Sequence, residues 1–156
     1  MLGNNNYLYQ DVIVSTISPI LHEPFLLLPA SVSAMDAQST LILTPASALS
    51  TLTAFISHVD PSPVLISSIL TPIVTSLYAL MALVDKKKIA DPVLKENVKG
   101  LLATWGRVTI FEECLSNLWR IIEGEGGQWK LDLGRGVARA ERSVDLLHTF
   151  QPVAEK

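Results

Sequence analysis

From position 63 to position 84 the chain carries no charge, and its apolar and hydroxyl residues separate when wound at about 100° per residue. Leu65, Ile66, Ile69, Leu70, Ile73, Val74, Leu77, Leu80, Met81, Leu83 and Val84 fall on one side. Ser67, Ser68, Thr71, Thr75, Ala79 and Ala82 fall on the other with Pro72 and Tyr78, and Ser76 sits near the edge of the apolar side. A lipid-exposed helix has no reason to sort Ser and Thr from Leu and Ile, whereas a helix packed on one face does. Pro72 removes an interior hydrogen bond, so the segment reads as one kinked helix or two shorter ones. Its run of roughly 20 apolar residues, followed by Asp85 and three lysines, also meets the requirement for a membrane span with a positive flank. An anchor at 63–84 is therefore the alternative to a core helix.

The next helices are easier to read. Asp91 before Pro92 predicts an N-cap with proline at the first helical position, where its missing N–H costs nothing. Leu94, Val98, Leu101, Leu102, Trp105 and Val108 then form one stripe, and the helix ends between 106 and 108. Thr109-Ile-Phe-Glu112 fits a capping box. It predicts a helix to about 123 that buries Phe111, Leu115, Leu118, Trp119 and Ile122, stopped by Gly124-Glu-Gly-Gly127. The short link near Val108 predicts that these two helices lie as an antiparallel hairpin. Trp129, Leu131 and Leu133 alternate as in a very short strand but are expected to dock on that hairpin. A last helix over 135–150 is expected from Val137, Ala140, Val144 and Leu147.

Toward the N-terminus, 7–21 and 46–58 read as helices, and Ser39-Thr-Leu-Ile-Leu43 as a loop entering the second. Ile17-Ser-Pro19, Leu43-Thr-Pro45 and Leu70-Thr-Pro72 repeat an apolar, hydroxyl, proline triplet at spacings of 26 and 27. Hydroxyl then proline is a helix-start signature. The fold class that follows is all-α: antiparallel helical hairpins stacked as a short HEAT-like α-solenoid. It forms one domain over 1–150, less legible before position 46, with a frayed tail at 151–156.

Composition narrows the function classes. The chain of 156 residues is 49% hydrophobic and 17% charged, with a mean hydropathy of +0.36. All 12 Lys and Arg lie between positions 86 and 156, while 1–84 holds only Asp11, Glu23, Asp36 and Asp60. With a formal net charge of -3 and acids among the bases, a nucleic-acid partner is not expected. Cys114 stands alone, which excludes a disulfide framework and fits a reducing compartment. The N-terminal stretch shows neither a secretory nor a transit pattern, so cytoplasm, with shuttling to the nucleus, is the expected location.

Catalytic and metal signals are weak. His22, His58 and His148 are scattered, so no metal site is expected. Ser57-His58-Val-Asp60 has the residue types of a triad, but sequence neighbours rarely point at one another, and a helix end explains it. Gly124-Glu-Gly126-Gly127 and Gly134-Arg-Gly136 are neither GxGxxG nor Walker A and read as turns. Glu112-Glu113 and Glu123 with Glu125 read as caps and solvated carboxylates rather than acid/base pairs. No cofactor and no enzymatic activity are expected.

LTPIVTSLYALMAL, DPVLKENVKGLLATWGRV and LWRIIEGEGGQWKLDL, with Arg139 and Glu141 beyond them, cover about residues 70–141. This region resembles the C-terminal part of the large HEAT-repeat proteins required for nuclear import and assembly of RNA polymerase II in fungi, whose animal relatives are linked to transport and Golgi organisation. The resemblance implies a non-catalytic solenoid acting as a scaffold for polymerase subunits or transport factors. Family members are many times longer, so the chain would be a terminal fragment or a shortened paralogue. The expected docking site is an apolar groove edged by Lys86, Lys87, Lys88, Arg107 and Arg120. Exposed apolar surface would otherwise drive self-association.

Overall fold

A computed structural model describes residues 5–26, 43–58, 62–87, 91–132 and 136–140. The described chain is mostly helical, as its patterning implies. Its axis is a kinked rod: α1 (Asn5–His22) and α2 (Pro45–His58) precede it, and the rod itself is α3 (Pro63–Leu70), a 3-10 turn (Thr71–Ile73) and α4 (Val74–Lys87). Then follow α5 (Pro92–Val108), α6 (Phe111–Ile122) and an antiparallel hairpin of β1 (Trp129–Asp132) and β2 (Gly136–Arg139).

The rod buries the side that sequence phase assigns to the core. Leu65, Ile66, Ile69, Leu70, Ile73, Val74, Leu77, Leu80 and Val84 are buried, and Met81 and Leu83 are half-buried. Ser62 caps α3, its Oγ accepting from the Leu65 N–H at 3.3 Å, and Pro63 takes the first helical position. At Pro72 the ladder lacks a donor, and the chain tightens into the 3-10 turn. His22 Nε2 lies 2.7 Å from the Ile69 carbonyl, where the imidazole N–H donates to the rod just before the kink.

Around the rod, α5 packs on α2, α3 and α4. Asp91 Oδ1 accepts the Leu94 N–H at 3.0 Å, and Leu94, Val98, Leu101 and Trp105 form the buried stripe. Trp105 Nε1 donates to Thr71 Oγ1 at 3.1 Å, tying α5 to the turn. The hydroxyl–proline triplets behave differently from one another. Pro45 does start α2, with Thr44 Oγ1 accepting from the Ser47 N–H, but Pro19 lies inside α1 and Pro72 inside the rod. Leu43 is half-buried beside the core, and 39–42 lie outside the described residues.

Four expectations are overturned. Thr109 does not cap α6: its hydroxyl donates back to the Trp105 carbonyl at 2.8 Å and closes α5, while Ile110 occupies the N-cap with no side-chain bond. The helix α6 packs along α4 rather than pairing with α5. Its apolar stripe is not buried, as detailed below. Finally, 136–139 is a strand and not the opening of a helix, registered Trp129↔Arg139, Lys130↔Ala138, Leu131↔Val137 and Asp132↔Gly136. Gly136 adopts φ 73, a left-handed conformation open to glycine. Val144 and Leu147 lie outside the described residues, as do Leu133 and the tail at 151–156.

A fifth expectation is overturned as well: Trp129 and Leu131 lie in a strand and do not dock on the α5 and α6 pair, since the hairpin rests β1 on α4 and β2 on α2. Trp129 and Val137 are buried while Leu131 is exposed, so docking falls to the tryptophan. Approach of the turn to α4 demands glycine at 126: a Cβ there would stand 2.2 Å from the Thr75 carbonyl oxygen.

Candidate functional site, an outward apolar face

Wound at about 100° per residue, α6 divides into two opposed sides. Phe111, Leu115, Leu118, Trp119 and Ile122 recur at intervals of four, three, one and three, an uninterrupted apolar stripe. The stripe faces solvent. Phe111 and Ile122 are each 75% exposed, Trp119 62% and Leu115 51%, with Ile110 at 65% extending the patch past the N-terminus. Buried Asn117 and half-buried Glu113, Cys114, Arg120 and Ile121 form the inward side.

The inversion has a local cause. The rod turns its hydroxyl-bearing side toward α6, and polar groups meet polar groups there. Ser67 Oγ donates to Glu113 Oε2 at 3.1 Å and also pairs with Thr71 Oγ1. Asn117 Nδ2 donates to the Glu113 carbonyl at 2.9 Å, and Arg120 donates to Asn117 Oδ1 and to Glu125. Burying the Phe and Trp stripe there instead would forfeit the Ser67 bond to the Glu113 carboxylate, a contact to a charged group of about 1.5–3 kcal/mol.

Two different borders flank the stripe. On one edge stand Glu112, Ser116 and Glu123, all exposed. On the other, a half-open recess of about 270 Å³ lies between Ile121 and the small side chains of α4, Ala79 and Ala82, with Tyr78 at its wall. Gly124, at φ 78, ends α6 and lets the chain turn beneath the recess.

The cations singled out by sequence do not border this face together. Lys86 and Lys87 are exposed in the last turn of α4, and Lys88 lies outside the described residues. Asp85 next to them is held by Lys95 at 2.8 Å. Arg107 is exposed in the last turn of α5, close to Trp105, which sits at the level of Thr71. Since Lys86 is 15 positions further along the rod than Thr71, the two cationic points are separated by about 22 Å at 1.5 Å per residue. Arg120 lies on the side of α6 away from the stripe, partly exposed, and is paired with Glu125.

Other chemistry-bearing residues are dispersed. Glu112 faces solvent and Glu113 faces Ser67, so they do not act on one atom. His22 is buried at the rod, and burial lowers its pKa below the ordinary 6.5, partly offset by its bond to the Ile69 carbonyl. Asp60, Gly134 and His148 lie outside the described residues, and no group of three metal-ligating side chains occurs among the described ones. Arg139 stacks over Trp129, its guanidinium carbon 5.0 Å from the ring centroid, and donates to the Gly126 carbonyl. Its role is to fasten the hairpin.

The stripe was visible in the sequence as a core face. The signal that it points outward is its back: Glu113, Asn117 and Arg120 recur at intervals of four and three, and Glu113 is bonded to Ser67 of the rod. Comparison with protein-family models, with curated proteins and with solved structures finds no match to this chain.

Proposed function

We propose that this chain is a non-enzymatic helical scaffold that holds a protein partner on the outward face of α6. The carrying observation is a continuous stripe of Phe, Leu, Trp and Ile left in solvent by a helix whose polar side is fastened to the rod. Contiguous apolar patches of this kind mark interaction surfaces. Repeats of a HEAT-like solenoid bury such faces against their neighbours, so one open apolar helix on a helical stack also suits that architecture. The resemblance to the polymerase-assembly proteins supplies the partner class: RNA polymerase II subunits or transport factors, met in the cytoplasm or on passage to the nucleus.

A membrane role has one supporting feature: 63–87 is long and apolar enough to cross a bilayer, with a mean hydropathy of 1.9. Against it, the apolar side of that rod is buried core on which α1 and α5 pack.

Purified polymerase subunits passed over the immobilised chain test the scaffold reading. Retention is expected, with loss of about tenfold or more in affinity for Trp119→Lys, since central aromatic anchors carry about 2 kcal/mol or more. Charge reversal of Lys86 and Lys87 to Glu is the counter-variant. Loss there, with Trp119→Lys unaffected, would move docking to the lysine end. No retention of any subunit by the unaltered chain would remove the partner class.

A further inference from the structure

The borders of the α6 stripe carry information about what covers it. We infer that the occupant is an amphipathic helix of another protein, with Lys or Arg along one flank that meets Glu112 and Glu123. The inference rests on the docking reading of α6 and adds the chemistry of the partner.

Charge selects among the occupants. Between 111 and 125 stand Glu112, Glu113, Glu123 and Glu125 against one cation, Arg120, and that cation is already paired with Glu125. Glu113 is turned inward to Ser67, so Glu112 and Glu123 are the carboxylates along the exposed edge, and neither is in an ion pair among the described residues. In an antiparallel twofold pairing of this helix with itself, the same edge of each copy meets the other, and the carboxylates of one copy stand against those of the second. The chain's own segment 141–156 offers three carboxylates, Glu141, Asp145 and Glu155, against Arg142 and Lys156. An anionic bilayer is repelled by the same edge. A basic amphipathic helix removes the conflict, laying apolar residues at i, i+3 or i+4 and i+7 on the stripe. One of those residues enters the recess beside Ile121, Ala79 and Ala82.

Two designed peptides of about 15 residues serve as probes, sharing one Leu/Ile face and differing only in flank, Lys in one and Glu in the other. Each is titrated into the full chain while Trp119 fluorescence is followed, since Trp105 and Trp129 are buried. The Lys peptide is expected to bind about tenfold more tightly than the Glu peptide, two edge pairs each supplying a few-fold at low salt. Glu112→Gln combined with Glu123→Gln should bring the ratio close to one, with unchanged circular dichroism, and added salt should do the same.

Equal binding of the two peptides would overturn the basic-partner inference while leaving α6 docking intact. Failure of both to bind would overturn both. Three further results overturn this inference by naming another occupant. One is a concentration-dependent dimer in sedimentation that Trp119→Lys dissolves. Another is peptide binding that emerges only after Val144→Lys and Leu147→Lys free the face from the chain's own segment. The last is capture by phosphatidylglycerol vesicles lost in Trp119→Lys.

Discussion

Trp105 and Trp119 lie on consecutive helices and offer a matched pair of deletions. Trp105 is 2% exposed and donates its Nε1–H to Thr71, whereas Trp119 is 62% exposed. Truncating a fully buried aromatic costs about 3–5 kcal/mol, combining lost transfer energy with the cavity left behind. Trp105→Ala should sit in that range. For Trp119, somewhat over a third of the side chain is covered, which scales the loss to about 1.5 kcal/mol. Alanine's higher helix propensity returns about 0.5 kcal/mol, leaving a net cost near 1 kcal/mol. The measurement is urea unfolding of both variants by far-ultraviolet circular dichroism, with stabilities extrapolated linearly. A difference of about 2 kcal/mol or more between the two is expected. Equal costs for the two variants would refute the outward orientation of α6 and return its stripe to this chain's own core.

Removing the α5 cap by Asp91→Ala deletes the acceptor for the Leu94 N–H and should lower stability by about 1 kcal/mol in the same assay. Glycine substitutions should split by location. Gly100→Ala in α5 has open space around its new methyl and should stabilise by about 0.8–1 kcal/mol, whereas Gly126→Ala drives a methyl into the Thr75 carbonyl and should destabilise by about 1–3 kcal/mol. His22 confers a pH dependence whose sign follows from its lowered pKa: the unfolded chain takes up a proton near 6.5 and the folded chain only below that. The His22 contribution is therefore held above pH 6.5 and lost as pH falls from 6.5 toward the folded value. Urea midpoints should fall with pH in that window, and His22→Gln, which keeps an N–H for the Ile69 carbonyl, should flatten the fall.

What could be read from the sequence depended on whether independent signals coincided. At α5, a capping aspartate, a first-turn proline and a clean apolar stripe all agree, and the helix lies where they place it. The rod was legible because its hydroxyls are sorted from its aliphatics, and the sorting itself argued for packing on one side. At α6, periodicity identified the apolar side correctly but carried no information on whether this chain supplies the cover. The polar back of α6, tied to the rod through Glu113 and Ser67, decides that, and this tie needs the tertiary arrangement. The hairpin was hidden because Val137 and Ala140 fit a heptad continued by Val144 and Leu147, while each strand spans only four residues. Thr109 was ambiguous for a stereochemical reason: a threonine between two helices can accept from the second or donate to the first.

Ser76 joins parts of the chain that are remote in sequence. Its hydroxyl donates to the Phe25 carbonyl at 2.7 Å, and its own carbonyl accepts from Trp129 Nε1 at 3.1 Å. Above that junction the rings of Phe25 and Trp129 stand 6.0 Å apart, tilted at 54°. The end of the N-terminal helical segment and the C-terminal hairpin are thus clasped on one residue of the rod. In hydrogen exchange, the amides of the hairpin and those around Phe25 are therefore expected to open together, although each is separated from Ser76 by some fifty positions. A lesion at Phe25 should accordingly loosen the turn from Gly124 to Gly127 that floors the recess beside α6, a route by which the end of the first helical segment and the hairpin share one local stability.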